Sequence, residues 1–152
     1  MSATATESTT QSLAQRVAEA LELMAFIIAE PLASPGDVEP NAVVTAVGFF
    51  GAANGKLEML CPLDLGRALM ANVEVAGNHD PDQLAREALC ELANIVCGSF
   101  VGQEFASLGT TTLTLPSQEV LRAESSADWD QALAMDADGM QIRVRLIKHG
   151  AV

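Results

Sequence analysis

The sequence contains no tyrosine and a single tryptophan, and aromatic residues make up only 4% of its 152 residues. A core must therefore be built from Leu, Val, Ile, Ala and Met. Apolar residues, at 49%, are plentiful enough to fold one domain. Basic residues are scarce too: 8 against 20 acidic ones, for a net charge of −12. A groove that neutralises nucleic-acid phosphates needs clustered Lys and Arg, and these eight are scattered, so nucleic acid is excluded as a partner. The same shortage argues against an anionic membrane surface. Long apolar runs are missing: the longest, Leu21–Ala29, includes Glu22 and is far short of a membrane span. The first basic residue is Arg16, which does not fit the charged start of a signal peptide. Cys61, Cys90 and Cys97 have no CxxC spacing and cannot all pair, which fits reduced thiols in a cytoplasmic protein. His79 and His149 lack metal-ligand spacing, so no metal site is expected in this chain.

What is present reads as helix and hairpin, twice. Residues 1–10 form an expected flexible leader, and residues 11–152 a single domain. From Gln11 to Glu30, Leu13, Val17, Leu21, Met24 and Ile28 follow helical spacing, and Pro31 ends the helix. Pro35-Gly36 and Pro40 mark a loop. Ala42–Phe50 reads as a buried strand, Ala53-Asn54-Gly55 as a turn and Lys56–Cys61 as the return strand. Leu63–Val73 predicts a short helix, broken at Gly77-Asn78-His79. Asp80-Pro81 is a helix start, a capping carboxylate followed by a proline whose missing N–H costs nothing there. That helix is expected from Pro81 to about Phe100. Thr110–Leu115 reads as a strand stopped by Pro116, and Ser117–Asp130 as a less regular connection. Ala132–Met135 and Met140–Ile147 pair around Asp136-Ala137-Asp138-Gly139. The expected class is α+β: a pseudo-repeat of helix plus β-hairpin, a mainly antiparallel sheet and two long helices packed on it. Met140–Ile147 is expected at an open sheet edge guarded in part by Arg143, Arg145 and Lys148.

The two copies differ where it matters. Glu19-Ala20-Leu21-Glu22-Leu23-Met24-Ala25-Phe26-Ile27 aligns with Glu87-Ala88-Leu89-Cys90-Glu91-Leu92-Ala93-Asn94-Ile95. Leu23 and Phe26 thus become Glu91 and Asn94. At about 100° per residue, Glu87, Glu91, Asn94 and Gly98 share one stripe, while Leu89, Leu92 and Val96, with Ala93 and Phe100 on the shoulder, face the core. An amide is no useful general base or nucleophile, but it can hold a water by donating and accepting hydrogen bonds. A carboxylate one turn away can pair with a partner's cation. Such a pair is suited to completing a site that already owns an electrophile, as water-positioning amides do in phosphoryl transfer. Cys90 and Cys97 read as packed thiols, Met24, Met59, Met70, Met135 and Met140 as core filling, and Trp129 as a partly buried anchor.

Asp80-Pro81, then Glu87 to Gly98 containing Glu91-Leu92-Ala93-Asn94, and Leu113-Thr114-Leu115-Pro116 downstream, together resemble the CheC/CheX family of chemotaxis phosphatases. That family carries Glu-x2-Asn on a long exposed helix, a following Gly and a later Pro; here Asn94 and Pro116 stand 22 positions apart. With Leu23 and Phe26 in the first copy, the chain resembles the CheX-like, single-site type, which implies a homodimer. The resemblance implies a phosphatase for the aspartyl phosphate of a CheY-type response-regulator receiver domain, in chemotaxis or related two-component signalling. Glu91 and Asn94 would be catalytic: Glu91 pairing with the receiver's Lys, Asn94 orienting a water toward phosphorus. Glu87, Gly98 and Pro116 would contact the partner, although relatives often have Asp or Ser where this chain has Glu87. The chain itself would bind no cofactor, with Mg2+ supplied by the receiver. The alternative reading is a non-catalytic dimeric module that binds receivers through the same helix face.

Overall fold

The computed structural model describes residues 3–149, apart from 40, 72, 74–76 and 78. Both hairpins form where turn chemistry called for them. β2 (Val43–Gly51) and β3 (Gly55–Cys61) pair antiparallel, Val43 opposite Cys61 and Phe49 opposite Gly55. Asn54 closes that turn, its side-chain oxygen accepting the Gly51 N–H at 3.3 Å. β6 (Leu133–Ala137) and β7 (Met140–Lys148) are joined by Asp138 and Gly139, at φ 53° and 85°. Two such residues in a row suit the right-handed twist of the flanking strands. The hairpins then meet through their second strands, with β3 beside β7 and Met59 opposite Val144.

Each half also lends a short strand to the other. Helix α1 (Ala3–Ala25) is followed by β1 (Ala29–Pro31), which pairs with β6 of the second half. Helix α3 (Pro81–Glu104) is followed by β4 (Thr111–Leu113), which pairs with β2 of the first. β5 (Ser117–Val120) pairs with β2 as well. The sheet runs β1-β6-β7-β3-β2-β4, antiparallel throughout. Both long helices cover one face, where Val17 and Leu21 of α1 and Leu89, Leu92, Val96 and Phe100 of α3 join Val47, Leu57, Met59 and Ile142 in one core. Short α2 (Leu63–Met70) packs on α3. The opposite face carries a smaller cluster, Ala42, Val44 and Leu60 under fully buried Trp129. This is the expected α+β class with its helix–hairpin repeat.

Several boundaries differ from the sequence reading. α1 already begins at Ala3, inside the stretch expected as a leader; extending a formed helix costs far less than nucleating one, and little there opposes it. It also ends early, at Ala25. Phe26 adopts the left-handed conformation (φ 57°), and its N–H and that of Ile27 close on the carbonyls of Glu22 and Leu21. Pro31 therefore ends an edge strand, where its lack of a donor is tolerated, rather than a helix. Ser117–Asp130 is not loose: it begins as β5 and then passes through the 3-10 segment Ala123–Trp129 over the far face. Pro40, Asn78 of the expected helix break and residues 150–152 lie outside the described residues.

β7 is interior, not an open edge. Its arginines serve the far face. Arg143, buried, donates to the carbonyls of Trp129 at 2.7 Å and Gly36 at 2.9 Å. Arg145 pairs with Glu58 at 2.7 Å and lies over the Trp129 ring, 4.0 Å from its centre. A homodimer joined through the sheet would have to use β1 or the β4–β5 edge.

Candidate functional site

α3 is set by its ends and one apolar stripe. The Asp80 carboxylate accepts the Asp82 N–H at 3.0 Å, and Pro81 occupies the first turn. Leu89, Leu92, Ala93, Val96, Cys97 and Phe100 are buried, and Phe100 meets Phe105 edge-on at 5.9 Å between ring centres. With that side fixed, the opposite stripe faces outward as expected. Glu87 and Glu91 are exposed, and Asn94 and Gly98 are half-buried. Glu87 accepts a hydrogen bond from Gln83 one turn earlier, at 3.4 Å. Glu91 and Asn94, one turn apart, have no side-chain hydrogen bond or ion pair among the described residues. Both keep their full donor and acceptor capacity for something outside the chain.

The cysteines of this helix are not part of that chemistry. Burial pushes the Cys97 thiol up to about 11, and its sulfur lies 4.0 Å from the Val47 carbonyl oxygen. Burial, and then the Glu87 charge, raises Cys90 as well. Cys61, buried on β3, is pushed up to about 12. Each of these shifts favours the thiol over the thiolate; Cys97 is packed in the core as expected, whereas Cys90 is only half-buried. Among the described residues, no group of three or more His, Cys, Asp or Glu could hold a metal ion, and no helix is long and apolar enough to cross a membrane.

Beside α3 runs the stretch from β4 to β5. A β-carbon added to Gly98 would lie 3.6 Å from Leu113 Cδ1, and the Cys90 sulfur lies 3.9 Å from the Ser117 carbonyl oxygen. Residues 114–116, Pro116 among them, therefore pass level with the turns carrying Glu91 and Asn94. This stretch contains a feature the sequence reading missed. Leu113 opposes Phe49 and Ser117 opposes Ala46, so four steps along one strand match three along the other. One residue is extra, and the strand bulges between Thr114 and Ser117. Pro116 inside an otherwise strand-like run was the available signal, because proline within sheets is confined to edges and bulges.

Past Asn94 the helix surface opens into a groove of about 450 Å³ lined by Gly98, Val101, Gly102, Ala106, Thr111 and Leu113. A β-carbon at Gly102 would meet nothing within 4 Å. No internal contact requires glycine there, and glycine in a helix gives up about 0.5–1 kcal/mol relative to alanine. Gly102→Ala is thus expected to raise the urea midpoint with an unchanged slope, a gain of about 0.5–1 kcal/mol in an equilibrium unfolding curve.

The matching positions of the first repeat carry apolar residues at the end of a helix. Leu23 and Phe26 are 82% and 87% exposed, yet α1 stops one residue before Phe26, where α3 continues through Asn94.

The family model described as chemotaxis phosphatase CheX matches residues 43–125, more than half of the chain. The chain belongs to the CheX family. The matched stretch runs from β2 into the 3-10 segment and so includes α3 and the bulge. Solved structures agree on the CheX fold. A chain of the CheX–CheY–BeF3–Mg2+ complex from Borrelia burgdorferi superposes with TM-score 0.67 at 19% identity, over 92% of this chain and 97% of that one. CheX from Desulfovibrio desulfuricans gives 0.65 at 16%, over 93% and 99%. CheX from Vibrio vulnificus gives 0.67 at 12%, again over 93% and 99%. No match was found among curated protein sequences.

Proposed function

We propose that this CheX-family chain is a phosphatase that hydrolyses the aspartyl phosphate of a CheY-type receiver domain. The observation that carries the reading is the Glu91 and Asn94 pair, unpartnered among the described residues, on the outward stripe of α3, a helix whose other side is locked in the core. The CheX–CheY–BeF3–Mg2+ assembly of the Borrelia relative supports a receiver as partner. The receiver brings the phosphoryl group, and its bound Mg2+ supplies charge neutralisation on the phosphoryl oxygens. This chain supplies the rest. Glu91, exposed and anionic, pairs with a cation of the receiver and fixes the docking register. Asn94, entering beside it, holds a water in line with phosphorus through hydrogen bonds accepted by its carbonyl oxygen or donated by its NH2 group. Water then attacks, the bond from phosphorus to the aspartate oxygen breaks, and the products are inorganic phosphate and a free carboxylate. Glu87, Gly98 and Pro116 belong to the surrounding contact surface.

The test follows phosphate loss from a phosphorylated cognate receiver. The protein is expected to shorten the phosphate lifetime, and Glu91→Ala with Asn94→Ala together to return it to the spontaneous value with the fold intact. Unchanged lifetimes across the receivers of the source organism would overturn the reading. Stable binding without any change in lifetime would make the chain a receiver-binding module instead.

A further inference from the structure

Leu115 is the extra residue of the bulge, or one of the two that share the position opposite Val47. It is 91% exposed, more so than any other large apolar side chain among the described residues. An exposed leucine on a loose loop would mean little. This one is held on both sides. The Thr114 N–H donates to the Gly48 carbonyl at 2.8 Å, and the Gly48 N–H donates back to Thr114 Oγ1 at 2.9 Å. On the other side Pro116 fixes its own φ and restricts Leu115, and Ser117 re-enters the ladder opposite Ala46. Bulges re-aim side chains and recur beside active sites. Here the ladder is interrupted on the stretch that runs along α3 between the contacts at Cys90 and Gly98, and the outcome is a branched apolar side chain standing in solvent.

We infer that Leu115 is a specificity-determining contact: the apolar anchor by which the receiver domain docks over Glu91 and Asn94. This rests on the phosphatase reading for the identity of the occupant, and a receiver seated on Glu91 and Asn94 also meets the bulge, because residues 114–116 run along α3 between Cys90 and Gly98, the span that carries both. The chemistry also favours it. The chain carries a net charge of −12, and Glu87 and Glu91 are exposed, so charge pairing alone would be screened at physiological salt. An apolar anchor is not screened. It touches no reacting atom, so it governs which receivers bind and how tightly, and it leaves the hydrolytic step alone.

The experiment compares wild type with Leu115→Ala, Leu115→Asp and Leu115→Met on a phosphorylated receiver, and separately titrates the same receiver held in the BeF3–Mg2+ form, which cannot turn over. Removing the branched tip is expected to raise KM and Kd about tenfold, from the apolar area withdrawn. Leu115→Asp weakens binding further, Leu115→Met restores it, and kcat stays within about twofold throughout. Unchanged KM and Kd in both the Ala and Asp variants would overturn the role of Leu115, as would a fall in kcat at constant Kd. If wild type binds but does not hydrolyse, the phosphatase reading fails by itself and the Kd ratios still decide Leu115. If wild type binds none of the receivers tested, both fall.

Discussion

Asn94→Ala is expected to lower the rate at which a bound, phosphorylated receiver loses its phosphate by about 10²–10³-fold and to change receiver affinity by less than about threefold. The size follows from what the amide is asked to do. In the proposed mechanism it acts only after docking, on a water in line with phosphorus, and positioning of that kind is expressed in the transition state rather than in the ground-state complex. The low cost in affinity follows from the geometry. Asn94 makes no side-chain bond among the described residues, so its removal strands no buried partner there, and it is half-buried in a helix whose hold on the core lies on the other side. Alanine is also the better helix former, by roughly 0.5 kcal/mol, so thermal stability should not fall. Single-turnover decay of phosphate at saturating protein, beside a titration, separates the two quantities. Asn94→Asp sharpens the result, since it keeps the shape, loses the donor and adds a charge facing a phosphoryl group. Its rate should fall at least as far.

Gly66→Ala is expected to destabilise the fold by about 3 kcal/mol, lowering the melting temperature by roughly 6–12 °C. α2 lies with Gly66 directly on the backbone of α3. A β-carbon there would sit 2.3 Å from the Ala85 carbonyl oxygen, 2.8 Å from its carbonyl carbon and 3.1 Å from its Cα. Those atoms belong to the helical backbone of α3, in its second turn, and have no rotamer to escape into, so α2 must move away or α3 must bend. Leu65 and Leu69 on α2, both buried, would lose contact in either case. The gain of helix propensity from alanine, about 1 kcal/mol, is too small to offset this. Gly102→Ala makes the contrast, being the same change of atoms on the open side of α3 with the opposite sign. Equilibrium unfolding of both variants in urea reads the difference directly. Since Ala85 lies less than two turns before Glu91, a bent α3 would also spoil the site, and Gly66→Ala is expected to lose hydrolysis along with stability.

The legible parts were those governed by local chemistry. Asp80-Pro81 announces the start of α3 because a cap acts on amides two or three residues away. The turns at Asn54-Gly55 and Asp138-Gly139 announce hairpins because turn geometry is a property of neighbours. The outward stripe of Glu91 and Asn94 follows from helical period alone, once Leu89, Leu92 and Val96 define the inner side. What escaped was non-local. β1 finds its partner about a hundred residues away, Ala29 opposite Ala137. β5 lies against β2, more than seventy residues earlier. No short window contains either pairing, so Ala29-Glu30 read as helix with Pro31 as its stop, and Ser117–Val120 read as connection. The interior position of β7 was hidden for the same reason, and Arg143 and Arg145 looked like edge guards when they are the support of Trp129. At the site, periodicity found the helix face but not the bulge beside it, because a bulge is a mismatch between two strands and cannot be seen in one.

The crossing of short strands between halves has a further consequence. Because β1 completes the sheet beside β6 and β4 completes it beside β2, neither repeat owns all the backbone partners it needs. Although the sequence is written as two similar units, they are laced like the fingers of folded hands. A break in the chain between β3 and α3 would leave two fragments, each with a ladder that only the other can fill. Their stability then resides in reassociation.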